Sequence, residues 1–188
     1  PIKFGDNLWI CPTHLPSPEP EIATVRLDPG LAFGTGTHAT TALCLEWLSE
    51  NKAEFFDENI VDYGCGSGIL GIAGMLLGAK HCFSTDIDPQ AIQATLQNAQ
   101  RNFVEIDPQL PENFNPPQVK VVLANILSGP LVELSPILTE LVKPGGHLVL
   151  AGLLDYDAEV VRDAYKADFE FKADKSLEGW TRLHGIKR

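Results

Sequence analysis

The tightest constraint on this chain is the stretch Asn59-Ile60-Val61-Asp62-Tyr63-Gly64-Cys65-Gly66-Ser67-Gly68-Ile69-Leu70, where an apolar run meets an acid and then three glycines at alternate positions. Ile60 and Val61 read as the end of a buried strand. The glycines permit a tight turn that brings backbone N–H groups against a ligand before a helix begins. Strand, glycine turn and helix in that order make the opening unit of an α/β cofactor site, and the neighbouring residues decide the ligand.

From residue 59 onward β-type and helical patterns alternate. The helix after the glycines runs to about Leu77, a strand covers His81 to Thr85, and Asp86-Ile87-Asp88-Pro89 opens a further helix with Asp88 as N-cap. Ile92, Leu96, Ala99 and Phe103 are expected on its buried face. Residues 105–118 carry four prolines and read as a loop. Val119 to Ala124 is a strand, Leu131 to Leu141 a helix, and Pro144-Gly145-Gly146 turns into a strand from His147 to Ala151. A helix over Tyr156 to Ala167 and two strands, about 168–174 and 179–186, complete the pattern. Such alternation requires a mainly parallel sheet with helices on both faces and a ligand site beyond the C-terminal strand ends, at the switch point. The last two strands are joined too closely for a crossover and suit an antiparallel pair at a sheet edge.

Upstream, two extended runs near Leu8 to Cys11 and Ala23 to Leu27 flank Pro16-Ser17-Pro18-Glu19-Pro20 and form a lead-in folded over one edge of the domain. A glycine-rich loop, Asp28-Pro29-Gly30-Leu31-Ala32-Phe33-Gly34-Thr35-Gly36-Thr37-His38, then feeds a helix on which Leu43 and Trp47, with Cys44 and Leu48, share a face. The expected division is residues 1–36 as lead-in and cofactor-covering loop, and 37–188 as the cofactor-binding domain.

Gly66-Ser67-Gly68-Ile69-Leu70-Gly71 satisfies G-x-G-x-x-G, the signature of a dinucleotide site, but a single match is weak. Asp62 argues otherwise. Just before the turn, its carboxylate would repel a pyrophosphate and attract an ammonium or sulfonium group. S-adenosylmethionine has both cations and no phosphate. Asp86, 22 residues after Gly64 at the end of the next strand, can accept hydrogen bonds from ribose hydroxyls in either ligand. Asp88 is explained by N-capping alone. Asn125, at the tip of the strand ending at Ala124, sits on the same sheet edge, and its amide can both donate and accept.

Charge narrows the partners. A formal net charge of -11 with no Lys/Arg cluster opposes a broad grip on nucleic acid and suits a basic protein or a cationic small molecule. No apolar run approaches a membrane span. Cys11, Cys44, Cys65 and Cys82 lack ligand spacing, so no metal site is expected, and reduced thiols imply a cytoplasmic protein.

These residues resemble class I S-adenosylmethionine-dependent methyltransferases and, more narrowly, the bacterial family that methylates large-subunit ribosomal protein L-eleven. The resemblance covers essentially all 188 residues. It rests on Leu27 to His38 with Thr40-Thr41, on Asp62 to Gly68, on Asp86-Ile87-Asp88-Pro89, and on Ala124-Asn125-Ile126-Leu127. It implies a Rossmann-like, doubly wound, seven-stranded, mainly parallel sheet with an antiparallel C-terminal strand. It also implies S-adenosylmethionine contacts from Thr41, Asp62, Gly64, Gly66, Asp86 and Asn125. Ala39 stands where the family has Pro, a small departure that leaves the Thr41 assignment intact. The family carries a smaller N-terminal domain that grips the ribosomal protein. That domain is expected to lie outside these residues, which start at Pro1, so this is read as the catalytic domain, and as a monomer.

The implied reaction is methyl transfer to amino groups of the ribosomal protein, on lysine side chains, the N-terminal amine or both. Asn125 and neighbouring backbone carbonyls are the candidate catalytic groups that orient the amine. Related enzymes acting on planar nitrogens carry Asn-Pro-Pro-Tyr here, whereas Ile126 and Leu127 follow Asn125 and suit a flexible aliphatic amine. His38 is read as ordering its loop rather than as a general base. Two alternatives stay open, a module that binds the cofactor without turnover and an NAD-dependent oxidoreductase.

Overall fold

The computed structural model describes residues 1–28 and 38–188. In chain order the elements are β1 (Ile2–Phe4), β2 (Leu8–Cys11), β3 (Ala23–Arg26), α1 (Ala39–Glu50), α2 (Lys52–Phe55), β4 (Ile60–Tyr63), α3 (Ile69–Leu76), β5 (Cys82–Thr85) and α4 (Pro89–Arg101). They continue with β6 (Asp107–Gln109), β7 (Val119–Asn125), α5 (Ser128–Glu133), α6 (Ser135–Leu141), β8 (Val142–Leu154), α7 (Ala158–Tyr165), β9 (Phe169–Phe171), β10 (Lys175–Leu177) and β11 (Trp180–Lys187).

The central sheet runs β10-β11-β8-β7-β4-β5-β6, with β9 sharing the edge of β11 beside β10, so the sheet has seven positions across. β8, β7, β4, β5 and β6 are parallel, and β11 pairs antiparallel with β8. This is the expected doubly wound α/β architecture. Winding reverses at β4, since the chain goes first to β5 on one side and later to β7 on the other. The crevice beyond the C-terminal ends of β4 and β7 is therefore the switch point.

Strand alternation divides the core into two layers. Ile60, Val121, Leu123 and Val149 join α1, α3 and the small β1-β2-β3 sheet on one face, while Val61, Val122, Leu148 and Leu150 pack with Leu131, Leu138, Val161 and Tyr165 on the other. Both faces are buried, as parallel strands between helix layers must be. The first 28 residues are more regular than a lead-in: Phe4, Leu8, Ile10 and Val25 belong to the same cluster as α1 and α3.

Several expected elements shift. The loop reading of 105–118 gives way to β6 and a 3₁₀ turn at Pro111–Asn113, because Pro108 is tolerated in an edge strand. The helix expected over Leu131 to Leu141 is two helices, since Pro136 in the first turn of α6 cannot continue α5. The buried face of α4 is also rotated. Phe103 is 97% exposed and Leu96 is exposed, whereas Thr95, Asn98 and Asn102 are buried with Ala91 and Ala99. Those polar side chains bond to backbone of the glycine turn, of β3 and of α4 itself. The Asn102 side chain accepts from Arg26 N–H (2.6 Å) and donates to the carbonyls of Arg26 and Asn98 (both 2.8 Å), tying α4 to β3.

Asn102→Ala leaves the Arg26 N–H and C=O without that partner, each costing about 1–3 kcal/mol when buried. Urea denaturation is expected to register a loss of at least about 2 kcal/mol, whereas Phe103→Ala at its exposed position should change stability by less than about 0.5 kcal/mol.

Candidate functional site

The site is built from the C-terminal ends of the strands around the switch point. β4 delivers Asp62, whose residue is 1% exposed and whose Oδ2 accepts the Gly71 N–H at 3.1 Å. Gly71 lies in the first turn of α3, where helix N–H groups lack intrahelical partners. Nearby, Ile69 N–H donates to Ser67 Oγ at 3.3 Å. Two N–H groups of the first turn of α3 are therefore engaged by side chains of β4 and of the glycine turn. Burial, first, pushes the Asp62 carboxyl up to about 7, with the Gly71 N–H opposing and the Asp86 charge adding to the rise. One backbone donor is little compensation for a buried carboxylate, and a cation in the adjoining space would supply the rest.

The glycine turn is held from both sides. Gly64, Gly66 and Gly68 have φ of +83°, +53° and +85°, a region open to glycine. Gly64 and Cys65 N–H groups donate to the Thr85 carbonyl at 2.8 and 3.0 Å. From α4, Thr95 Oγ1 donates to the Gly66 carbonyl (3.2 Å) and Asn98 Nδ2 to the Ser67 carbonyl (2.8 Å). This is the work of the polar face of α4. Asp86, at the end of β5, accepts from Gly66 N–H (3.0 Å) on one oxygen and from Asp88 N–H (2.9 Å) on the other, leaving lone pairs on both. Asp88 caps α4 by accepting from Gln90 N–H at 2.9 Å.

Opposite this turn stands α1. His38 is its N-cap: Nδ1 accepts from Thr40 N–H at 3.2 Å, and the ring meets Trp180 edge-on with centroids 5.3 Å apart. His38 Nδ1 is also 2.9 Å from Thr40 Oγ1, so this nitrogen is engaged at the start of the helix. Three residues further, the Thr41 hydroxyl accepts from Asn125 Nδ2 at 3.4 Å, joining α1 to the tip of β7 across 84 positions of sequence.

These parts enclose a cavity of about 330 Å³ lined by Thr41, Asp62, Gly64, Gly66 and Asn125. Five of the six residues predicted from sequence thus share one cavity, and Asp86 borders it through Gly66. Ile69, Leu70, Ile126 and Leu127 supply apolar wall, and the Cys65 thiol in the same wall is pushed up to about 12, chiefly by burial, so it stays protonated. Trp180 and Gly152 also line the cavity and were missed in the sequence. Trp180 was legible in principle: it opens a strand antiparallel to β8, and such a strand must begin at the C-terminal ends of the parallel ones. Of the predicted covering loop, Asp28 to His38, residues 29–37 lie outside the described residues. Among the described residues, no cluster of three His, Cys, Asp or Glu side chains is placed to hold a metal ion, and no helix is long and apolar enough to cross a membrane.

A cavity of this size with one buried acid, one amide and apolar walls suits a small ligand that carries a positive charge. The sequence comparison narrows it further. The model of the ribosomal protein L11 methyltransferase (PrmA) family matches residues 1–188. The chain belongs to the ribosomal protein L11 methyltransferase family. A relative of that name from Pseudomonas paraeruginosa is 51% identical over 100% of this chain, and the chain spans 64% of that relative's length. Among solved structures, the ribosomal protein L11 methylase of Lactobacillus delbrueckii subsp. bulgaricus superposes with a TM-score of 0.88 at 28% identity, covering 100% of this chain and 98% of that one. The 16S rRNA N2 G1207 methyltransferase of Thermus thermophilus, solved with AdoMet and guanosine, has the same fold, with a TM-score of 0.67 at 16% identity over 84% of this chain and 45% of that one. The L11 methyltransferase family and the class I methyltransferase fold thus agree with the sequence reading.

The Asp62 shift has a stability consequence. Its carboxyl is neutral in the folded cofactor-free chain up to about pH 7 but ionises near 3.8 when unfolded, so the folded state binds the extra proton between those values. Stability of the wild type is expected to fall, relative to Asp62→Asn, as pH rises from about 4 to about 7, and the gap should then level off. Chemical denaturation of both proteins across that range measures it; a gap that does not move with pH contradicts the assignment.

Proposed function

We propose that this chain binds S-adenosylmethionine and supports transfer of its methyl group to amino groups, lysine side chains or the N-terminal amine, of ribosomal protein L11. The observation carrying this reading is the buried Asp62 carboxyl of β4, which accepts the Gly71 N–H from the first turn of α3 and lines the cavity, where it opposes a pyrophosphate and calls for a cation beside it. In this reading Asp62 faces the ammonium end of the cofactor, Asp86 the ribose hydroxyls, and Thr41, Gly64, Gly66 and Asn125 the remaining polar edge. An NAD-dependent oxidoreductase is disfavoured by the same carboxylate.

When bound, the sulfonium supplies an already activated methyl group. What the protein must do is align an amine and exclude water. Asn125, held against Thr41, orients the amine through its side-chain oxygen, and the apolar wall of Leu127, Ile126 and Trp180 desolvates it, which lowers an amine pKa toward the reactive neutral form. Residues 37–188 serve as the catalytic domain and 1–36 as lead-in and cover, acting in the cytoplasm as a monomer on a protein rather than a nucleic acid. Because the chain spans 64% of the length of curated relatives, a second reading is binding without turnover on the natural substrate.

Incubation with methyl-labelled S-adenosylmethionine and purified ribosomal protein L11, followed by mass spectrometry, separates the two. Label on L11 amines is expected. Asn125→Ala is expected to lower kcat about a hundredfold, the scale of a misplaced reactant, with a much smaller change in cofactor affinity. Tight cofactor binding with no label supports the second reading, and label independent of Asn125 contradicts its role.

A further inference from the structure

We infer that Gly152 and Gly64 act together as positioning residues for methyl transfer, closing on Ile126 from the ends of β8 and β4 and so fixing where the Asn125 amide points. The inference deepens the proposed function and rests on it for the identity of the reaction.

The two glycines are barred from side chains by the same neighbour. A Cβ on Gly152 would lie 2.2 Å from the Ile126 carbonyl oxygen, 2.7 Å from its carbon and 2.9 Å from the Ile126 nitrogen, so it would collide with the peptide itself. A Cβ on Gly64 would lie 2.5 Å from Ile126 Cγ2. Both glycines have positive φ, +90° at Gly152 and +83° at Gly64. The Ile126 N–H also donates to the Ala151 carbonyl at 3.1 Å, which fastens the turn to the residue next to Gly152.

No turn requires this conformation at Gly152, because β8 continues through it to Leu154. The pairing of β8 with β11 slips here by one residue, from Leu183↔Leu150 to Thr181↔Leu153, which is a bulge on the β8 side. Bulges beside sites re-aim neighbouring groups. This one leaves room for the Ile126 carbonyl at the end of the strand that has just placed Asn125. Asn125, Ile126, Gly64 and Gly152 all line the cavity, and Asn125 is one residue from the clamped peptide. A shift of under an ångström at Ile126 would therefore move the Asn125 amide, whose bond to Thr41 is already long at 3.4 Å.

The contacts differ in kind, and that makes the inference testable. The collision at Gly64 is with a side chain and can be relieved by Ile126→Ala, whereas the collision at Gly152 is with backbone and cannot. The full chain is used, with three readouts: the side-chain amide resonances of Asn125 in ¹⁵N-labelled protein, S-adenosylhomocysteine affinity by calorimetry, and kcat and KM for methyl transfer to ribosomal protein L11. Gly152→Ala is expected to shift the Asn125 resonances and to lower kcat at least tenfold, with the KM for cofactor changed less than about threefold. Adding Ile126→Ala should not restore it. Gly64→Ala is expected to lose at least tenfold in affinity, and Ile126→Ala should recover part of that loss.

Unmoved Asn125 resonances and unchanged kcat in a Gly152→Ala protein that melts as a folded chain overturn the inference, as does recovery of Gly152→Ala by Ile126→Ala. Should Gly152→Ala not fold, the Gly64 and Ile126 cycle still decides, and absence of recovery there overturns the clamp. A wild type that transfers no methyl group refutes the proposed function, while the resonances and the affinity cycle continue to judge the clamp.

Discussion

The buried Asp62 carboxylate, accepting the Gly71 N–H at the start of α3, governs what the switch point can hold. A helix N-terminus at that place is ordinarily the receiver of phosphate. Here a buried carboxyl accepts one of its N–H groups, and a carboxyl that ionises beside a cation inverts the polarity expected of the crevice. Burial without full compensation raises the carboxyl to about 7, so the cofactor-free chain stores an unfavourable ionisation that a cationic ligand relieves. Other parts of the site surround that carboxyl: apolar wall from Ile69, Leu70, Ile126 and Leu127, and a second acid, Asp86, at the end of β5.

Rigid surroundings keep this arrangement in place. The glycine turn is pinned from behind by Thr95 and Asn98, and α4, which carries them, is anchored to β3 through Asn102. On the opposite wall, α1 buries Trp47 against His147 and His184, whose rings lie 5.7 and 5.1 Å away. His147 Nδ1 and His184 Nε2 are 2.9 Å apart, His147 Nε2 lies 3.3 Å from Glu54 Oε2, and burial pushes both imidazoles down, His184 to about 4, so the pair serves as packing for Trp47. Thr41 and His38 therefore face the cavity from a helix that has little freedom to move.

The strand-glycine-helix unit, the alternation after it and the acids at strand ends were legible because they are local patterns with local causes. Apolar periodicity failed on α4, where the buried face carries polar side chains serving backbone groups of the loop and of β3, which a hydrophobicity pattern reads as surface. His147 and His184, far apart in sequence, likewise show no shared pattern, although two adjacent antiparallel strands bring them together. Gly152 and Trp180 escaped notice for a third reason. Their roles depend on which strand ends meet across the sheet, a fact of topology rather than of any stretch of sequence. The L11 methyltransferase resemblance implied the fold, which the structure bears out, together with a set of cofactor contacts, five of whose six residues line one cavity.

Calorimetric titration of the chain with S-adenosylhomocysteine and with NADH at pH 6.5, in buffers of different ionisation heat, tests the inverted polarity directly. The account predicts saturable binding of the first ligand with release of up to about one proton as Asp62 ionises, loss of that release in Asp62→Asn, and no binding of NADH. Binding of NADH in preference to S-adenosylhomocysteine would contradict it.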